Sequence, residues 1–168
     1  MFNKPICLVG FICSGKSTIG QLLSGKLSCD FFDTDRLIEH KFQKPISEVF
    51  QSLPEEEFRN LEYETLSEIF IQKKQPFVLA TGGGIFEKNE CRDLLFQKTT
   101  SFYLKNSLEN IRLRISNRSH AAFWSELCTE RRFNQRIIQY EKAHYIVETE
   151  NKSPDEIINR ILLFRIPW

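Results

Sequence analysis

The sequence lacks the features that mark several large classes of protein. Its 168 residues carry 23 Lys and Arg against 22 Asp and Glu, a formal net charge of +1. There is thus neither the basic field typical of nucleic-acid-binding proteins nor an acidic tail. No apolar run approaches the ~18 residues of a membrane span, and the first residues do not have the shape of a signal peptide. We therefore expect a cytoplasmic protein without nucleic-acid or membrane partners.

Cysteine, histidine and glycine are few, and their positions in the sequence are informative. The five cysteines form no C-x-x-C pair and the three histidines are not grouped, which argues against a zinc site and favours reduced thiols. Glycine is missing from the whole chain after Gly84. Five of the seven glycines fall in two loops that directly follow predicted strands, and ligands of parallel sheets bind at that edge.

Apolar strand-like runs alternate with helix-like segments, a pattern typical of an α/β fold with helices on both faces of a parallel sheet. Internal repeats and low-complexity segments are absent from the sequence. Strands are predicted at 5–9, 29–32, 77–80, 99–104 and 145–148. Helices are predicted at 16–27, 36–42, 46–51, 55–73, 87–96, 108–115, 131–144 and 153–164, with an irregular stretch after residue 120.

The most informative motif is the phosphate-binding pattern G-x-x-x-x-G-K-[ST] at residues 10–17. It follows a predicted strand and opens a predicted helix, which is the context that the motif requires. Its backbone N–H groups and the helix N-terminus hold phosphates. In such loops the lysine, here Lys16, reaches the β- and γ-phosphates, and the hydroxyl of Ser17 holds Mg²⁺. We expect nucleotide contacts from Cys13, Ser14, Gly15, Lys16, Ser17 and Thr18.

Asp33-Thr34-Asp35 follows the second predicted strand and so lies at the same sheet edge as the phosphate loop. Two carboxylates two residues apart in an extended segment point the same way. One of them could approach Mg²⁺ while the other faces a substrate hydroxyl. The alternative is that one aspartate caps the helix that follows, and a single residue could serve both purposes.

Three more features fall near the predicted site. Thr81-Gly82-Gly83-Gly84 follows a buried strand and leaves backbone N–H groups bare for a ligand, unless it is a flexible turn. Arg59 and Glu62 share one helix face, so the glutamate can orient the guanidinium, although by itself the pair is typical of an ordinary surface ion pair. Arg118 lies in a polar segment suited to a mobile lid, and Arg136 lies four residues before Tyr140 on one helix face. Solvated surface arginines are the alternative for Arg118 and Arg136.

The blocks G-F-I-C-S-G-K-S-T, F-F-D-T-D-R-L-I-E, F-R-N-L-E and A-T-G-G-G, in this order and spacing, resemble the shikimate kinase family over most of the chain. The phosphate loop alone is shared by many NTPases, whereas the joint pattern is far more specific. The resemblance implies a three-layer P-loop NTPase fold of the nucleoside-monophosphate-kinase type, with a central five-stranded parallel sheet. It implies one domain over residues 1–168, with a substrate-binding region at about 33–62 and a lid at about 115–128.

The resemblance also implies an activity, the ATP-dependent phosphorylation of the shikimate 3-hydroxyl on the way to chorismate and the aromatic amino acids. ATP and shikimate are then the small-molecule partners, Mg²⁺ is the cofactor, and the expected state is a monomer. By position, Asp35 matches the aspartate that binds shikimate hydroxyls and aids deprotonation. Asp33 matches the one near Mg²⁺, beside the direct ligand Ser17. Arg59 and Arg136 match the pair that grips the carboxylate.

The remaining positions follow from the same resemblance. The glycine motif is matched by Gly82, Gly83 and Gly84, with Gly83 as the direct substrate contact. Arg118 matches the lid arginine, which joins Lys16 and Asp35 as a catalytic group and also contacts the nucleotide. The adenine is expected near Arg112 or Arg114 and the segment 149–154.

The chain departs from the family pattern mainly in the lid. Arg118-Ser119-His120 stands where the family has Arg-Pro-Leu, and Arg136 is followed by Ile-Ile-Gln-Tyr instead of x-Pro-x-Tyr. Two other functions stay open at this point. One is a gluconate-type kinase of the same fold, and the other is a nucleotide-binding relative that has lost its chemistry.

Overall fold

The computed structural model describes residues 4–117 and 121–164 of the chain. Its centre is a five-stranded sheet of order β2-β3-β1-β4-β5, in which every neighbouring pair is parallel. The strands are β1 Ile6–Val9, β2 Asp30–Asp33, β3 Phe77–Ala80, β4 Thr100–Lys105 and β5 Tyr145–Glu148. All five coincide with predicted strands to within one residue at each end.

The helices of the described residues surround this sheet. They are α1 Lys16–Leu27, α2 Thr34–Phe42, α3 Ile46–Ser52, α4 Glu55–Gln72, α5 Asn89–Lys98, α6 Leu108–Ser116, α7 Ala121–Leu127, α8 Glu130–Tyr140 and α9 Pro154–Leu163, with a 3₁₀ helix at Ile85–Glu87. Ser153 caps the last helix with a full capping box, because the serine and Glu156 each accept a hydrogen bond from the other's backbone N–H group.

Alternation along β1 explains the three layers. Cys7 and Val9 pack into a core cluster shared with α4, α5, α6 and α8, whereas Ile6 and Leu8 pack into a second cluster shared with α1 and α9. Successive side chains of a strand point to opposite faces, so a wholly apolar strand needs cover on both sides. The α/β fold with helices on both faces is therefore confirmed.

Three predictions of local structure are wrong. The helix predicted at 87–96 is interrupted, because Lys88 is extended between the 3₁₀ helix and α5. The helix predicted at 131–144 ends at Tyr140, where a turn follows. The stretch after residue 120, predicted as irregular, contains α7.

The strand order decides where the motifs meet. β1 lies at the centre of the sheet, β3 is its neighbour, and β2 pairs with β3. The phosphate loop, the triple glycine and Asp33-Thr34-Asp35 therefore follow three adjacent strands at one edge of the sheet. Within residues 4–117 and 121–164, no helix combines the length and apolarity that a membrane crossing needs.

Candidate active site

The phosphate loop has the backbone that an anion site requires. Gly10 and Gly15 have positive φ angles of 151° and 101°, and Cys13 between them is also left-handed with φ of 58°. A Cβ on Gly10 would lie 2.9 Å from the carbonyl oxygen of Leu104, so the loop crosses β4 too closely for any side chain. The first turn of α1 carries no side-chain cap. Its N–H groups are therefore left for a ligand.

Lys16 is folded back over this loop. Its Nζ donates to the carbonyl oxygens of Gly10 at 2.8 Å and Phe11 at 2.7 Å, and the side chain is buried. The carbonyl bonds hold the ammonium group beside the first turn of α1. Of the six loop residues predicted to contact the nucleotide, five line one cavity, namely Cys13, Gly15, Lys16, Ser17 and Thr18. The sixth, Ser14, is buried and is not among the lining residues.

Asp33 caps the helix that follows it, which was one of the two alternatives. It ends β2 with an extended backbone, and its Oδ1 accepts from the backbone N–H groups of Asp35 at 3.1 Å and Arg36 at 3.4 Å. Asp35 lies in the first turn of α2, so the assumption that both carboxylates belong to one extended segment is wrong. The cap bonds turn the chain into a helix directly after Asp33. Both side chains nevertheless line the cavity.

The environment of Asp35 favours its protonated form more than water does. Burial by the surrounding protein, followed by the charges of Asp33 and Glu62, raises the pKa of Asp35 to about 7, although Lys16 acts in the opposite direction. A carboxyl group with a pKa near neutrality exchanges a proton readily at physiological pH. Asp35 is therefore chemically suited to accept a proton from a substrate hydroxyl.

Arg59 is held by three carboxylates. Its Nη1 donates to Glu62 at 2.7 Å, and its Nη2 lies 3.0 Å from Glu55 and 2.8 Å from Glu87. The predicted pairing of Arg59 with Glu62 is thus confirmed, whereas the contact with Glu87 was not predicted. Glu62 is only 1% exposed, and its Oε1 has no hydrogen-bond partner in the described part of the chain. A buried ion pair of this kind fixes the orientation of the guanidinium.

Arg136 reaches the same place from α8. It is 5% exposed, and its Nε donates to Oε1 of Glu87 at 2.6 Å. The guanidinium also lies over the ring of Phe11, 5.3 Å from the centroid. Arg59 and Arg136 are both buried at one cavity, so the alternative of solvated surface arginines does not apply to Arg136. We call Arg59 and Arg136 together the arginine clamp.

The triple glycine is required by close packing on three sides. A Cβ on Gly82 would lie 2.5 Å from Oε1 of Glu62, and one on Gly84 would lie 2.4 Å from Nη2 of Arg59. One on Gly83 would lie 2.8 Å from Cγ2 of Ile12 in the phosphate loop. The segment therefore touches both the phosphate loop and the arginine clamp.

Hydrogen bonds anchor the same segment to its neighbours. The N–H of Gly82 donates to Oγ1 of Thr34 at 2.9 Å, and the hydroxyl of Tyr140 donates to the carbonyl oxygen of Gly83. The alternative of a flexible turn does not agree with this degree of contact.

These elements enclose one cavity of about 280 Å³. The phosphate loop, Asp35, Arg59, Arg136 and the triple glycine all line it. Trp124 and Leu127 of α7 also line it, two residues that sequence reasoning missed because α7 itself was not predicted. The lining thus combines groups suited to phosphates with groups suited to a carboxylate. We call the part formed by the phosphate loop the phosphate end, and the part formed by Arg59, Arg136 and the triple glycine the acceptor end.

The predicted lid is only partly described. Arg118 lies outside the described residues, together with Ser119 and His120. Beyond them, Phe123 of α7 packs edge-on against Phe50 of α3 with ring centroids 6.0 Å apart. Before them, Nη1 of Arg114 donates to the carbonyl oxygen of Cys13 at 3.2 Å, which places Arg114 at the phosphate loop.

Comparisons with known proteins agree with this site. The family model for shikimate kinase matches residues 12–164. The chain belongs to the shikimate kinase family. Members of this family are kinases that use ATP as co-substrate, and this chain is a kinase of that kind.

Individual relatives cover nearly the whole chain. The shikimate kinase of Dictyoglomus turgidum is 37% identical over 166 residues, covering 95% of this chain and 96% of the relative. That of Bacillus subtilis is 36% identical over 99% of this chain and 91% of its own length. A structure of the Acinetobacter baumannii shikimate kinase in complex with shikimate superposes with a TM-score of 0.83 at 30% identity, covering 95% of this chain and 90% of that one.

The fold extends beyond the shikimate kinase family. A gluconokinase from Sinorhizobium meliloti superposes with a TM-score of 0.57 at 14% identity, covering 96% of this chain and 91% of that one. At this identity the likeness concerns the fold alone.

Proposed function

We propose that this shikimate kinase family member transfers the γ-phosphoryl group of ATP to the 3-hydroxyl of shikimate. The products are shikimate 3-phosphate and ADP, in a step toward chorismate and the aromatic amino acids. One observation carries the proposal: a single cavity joins the phosphate loop to Asp35 and to two buried arginines. The same cavity therefore offers groups for a phosphate donor and for a hydroxylated carboxylic acid.

The acceptor end of the cavity matches the chemistry of shikimate, a small carboxylate with three hydroxyls. Arg59 and Arg136 supply two guanidinium groups, which bind carboxylates more specifically than ammonium groups do. The backbone of Gly82, Gly83 and Gly84 lines the same end, where the lack of side chains permits close approach. We assign carboxylate binding to the arginine clamp and hydroxyl binding to Asp35 and the glycines.

Asp35 is proposed to take the proton of the 3-hydroxyl. The oxygen of that hydroxyl forms a bond to the γ-phosphorus while the bond to the β,γ-bridging oxygen breaks. The proton passes to the carboxylate of Asp35, and ADP leaves with the bridging oxygen. Because phosphoryl transfer depends mainly on positioning and electrostatics, the chain's main task is to align the two substrates.

Lys16 and Mg²⁺ are proposed to balance the charge of the phosphates. Ser17 and Asp33 would hold the ion, and when bound it would stabilise negative charge on the phosphate oxygens. The residues fit, because a hydroxyl and a carboxylate are the hard oxygen donors that Mg²⁺ prefers, and both line the cavity. The cap of α2 uses Oδ1 of Asp33 and does not involve Oδ2.

The lid and the adenine site remain predictions. Arg118 is proposed to contact the transferring phosphate from the lid. For the adenine, Arg114 is the better candidate than Arg112, because it bonds the carbonyl oxygen of Cys13 in the phosphate loop. The monomeric state stays a prediction from the family resemblance, and the cytoplasmic location stays a prediction from the sequence.

A coupled assay of ADP release tests the proposed function. The protein is mixed with ATP and Mg²⁺ and then with shikimate, with gluconate or with no acceptor. We expect fast ADP release when shikimate is the acceptor, and not with gluconate or without an acceptor. Release with gluconate would indicate a gluconate-type kinase. Nucleotide binding without ADP release on any addition would indicate a relative that has lost its chemistry.

A further inference from the structure

Glu87 joins the two arginines of the clamp through its two oxygens. Oε1 accepts from Nε of Arg136 at 2.6 Å, and Oε2 lies 2.8 Å from Nη2 of Arg59. The two arginines belong to helices far apart in sequence, α8 and α4. The carboxylate of Glu87 therefore links the two guanidinium groups of the clamp.

Glu87 contacts the clamp without lining the substrate cavity. Arg59 and Arg136 line that cavity, whereas Glu87 lines a second cavity of about 310 Å³, which Gly83, Gly84 and Arg136 also line. The bond to Glu87 uses the Nε of Arg136. Both Nη atoms of this arginine have no hydrogen-bond partner in the part of the chain that the structure describes. They are the donors left for a substrate carboxylate.

The two arginines depend on Glu87 to different degrees. Arg59 also pairs with Glu55 and Glu62, so it keeps two carboxylates if Glu87 is removed. Arg136 pairs with Glu87 alone among the described residues, although its side chain is only 6% exposed. A buried guanidinium that loses its carboxylate leaves its position or draws in water. Removal of Glu87 should therefore displace Arg136 much more than Arg59.

We propose that Glu87 is the positioning residue that holds Arg136 in the clamp and so sets the affinity for the carboxylate of the acceptor. This proposal rests on the proposed function, because it takes the arginine clamp as the carboxylate site. Glu87 lies three residues after the last glycine of the triple glycine, and its N–H donates to the carbonyl oxygen of Gly84 at 2.9 Å. The segment from Gly82 to Glu87 thus both lines the substrate cavity and bonds the arginine clamp.

Steady-state kinetics of Glu87→Ala test the proposal. We expect the KM for shikimate to rise about tenfold or more, the effect of losing one charge-assisted hydrogen bond. The KM for ATP should change less than about twofold, because the phosphate loop does not contact Glu87. Glu87→Gln should recover part of the loss, since its amide oxygen can still accept from Nε of Arg136.

Two further variants act as controls. Glu55→Ala also removes a carboxylate from Arg59 but leaves Arg136 paired, so its effect on the shikimate KM should be clearly smaller. Glu90→Ala removes the same charge three residues away, where the side chain pairs only with Lys88 among the described residues, and should behave as wild type. If Glu87→Ala does not fold, Glu87→Gln against wild type carries the same comparison.

The methyl ester of shikimate gives the sharpest measurement. It keeps the hydroxyls but has no carboxylate charge. If Glu87 positions Arg136, the preference for shikimate over its ester, measured as the ratio of kcat/KM values, falls about tenfold in Glu87→Ala. An unchanged ratio, or a lower shikimate KM in the variant, would overturn the proposal. Failure of the wild type to phosphorylate shikimate at all would instead contradict the proposed function.

Discussion

The two ends of the cavity are built in different ways. The phosphate end comes from one contiguous segment, residues 10–18, and its donors are mainly backbone N–H groups and Lys16. The acceptor end is assembled from side chains of α2, α4 and α8 with the glycine segment after β3. The first depends on local backbone conformation, and the second on how distant elements pack together. Substitutions at the phosphate end should therefore affect ATP, and substitutions at the acceptor end should affect shikimate.

The ends also differ in how their positive charge is held. Lys16 donates to backbone carbonyl oxygens and interacts electrostatically with Asp35, whereas Arg59, Arg132 and Arg136 share a network with Glu55, Glu62 and Glu87. The network carries equal numbers of positive and negative groups. It therefore adds little long-range attraction and acts mainly by orienting the substrate.

The largest effect is expected for Asp35→Asn, which acts where the two ends meet. The amide has nearly the same shape but cannot accept the hydroxyl proton, so kcat should fall by about 10³-fold. The affinity for ADP, measured by calorimetry, should stay within about twofold of the wild-type value, because the phosphate loop is untouched. A kcat close to the wild-type value would show that Asp35 does not accept the hydroxyl proton.

Arg136→Ala should show the clearest difference between its effects on the two substrates. It removes a guanidinium from the acceptor end, so the KM for shikimate should rise about 100-fold while the KM for ATP stays nearly constant. Steady-state kinetics with each substrate varied in turn provide the measurement. Equal increases in both KM values would show that Arg136 serves the nucleotide instead.

Gly84→Ala disturbs the same end by size alone. Gly84 has φ of −110°, which alanine adopts readily, so backbone strain is not involved. Its Cβ would overlap the guanidinium of Arg59, with three atoms within 2.5 Å. We expect the shikimate KM to rise about tenfold through displacement of Arg59. Gly25→Ala, where a Cβ meets no atom within 4 Å, is the matched control and should leave both KM values unchanged.

Tyr140→Phe should have the smallest effect on catalysis. It removes the hydroxyl that donates to the carbonyl oxygen of Gly83, and Tyr140 is 1% exposed. The free energy of unfolding in urea should fall by about 1–2 kcal/mol, the cost of one buried polar group left without its partner. The shikimate KM should change by less than about threefold. A variant as stable as the wild type would mean that this hydrogen bond does not hold the glycine segment.

The difference between local conformation and the packing of distant elements also explains which features could be predicted from the sequence. The phosphate loop, the five strands and the clustering of Asp35, Arg59, Arg136 and the glycines at one sheet edge all follow from local patterns together with the family resemblance. These signals are contiguous in sequence, or they lie directly after a strand whose position is evident. The pairing of Arg59 with Glu62 was also predictable, because both residues lie on one turn of α4.

The features that could not be predicted depend on contacts between distant elements. α7 has only seven residues, too few to be stable alone, and it packs through Phe123 against Phe50 of α3. The chain is extended at Lys88 because Glu87 before it is held by arginines of α4 and α8. The end of α8 before His144 reflects a bond between this histidine and Ser101 of β4. No local pattern contains these partners.

The position of the phosphoryl group in the product tests the central claim most directly. The protein is incubated with ATP, Mg²⁺ and shikimate, and the mixture is examined by phosphorus NMR. If the cavity aligns the 3-hydroxyl at Asp35 with the γ-phosphate, one phosphomonoester signal appears, coupled to the proton on carbon 3 and equal in amount to the ADP formed. Inorganic phosphate in place of the ester, or an ester on another hydroxyl, would contradict the account.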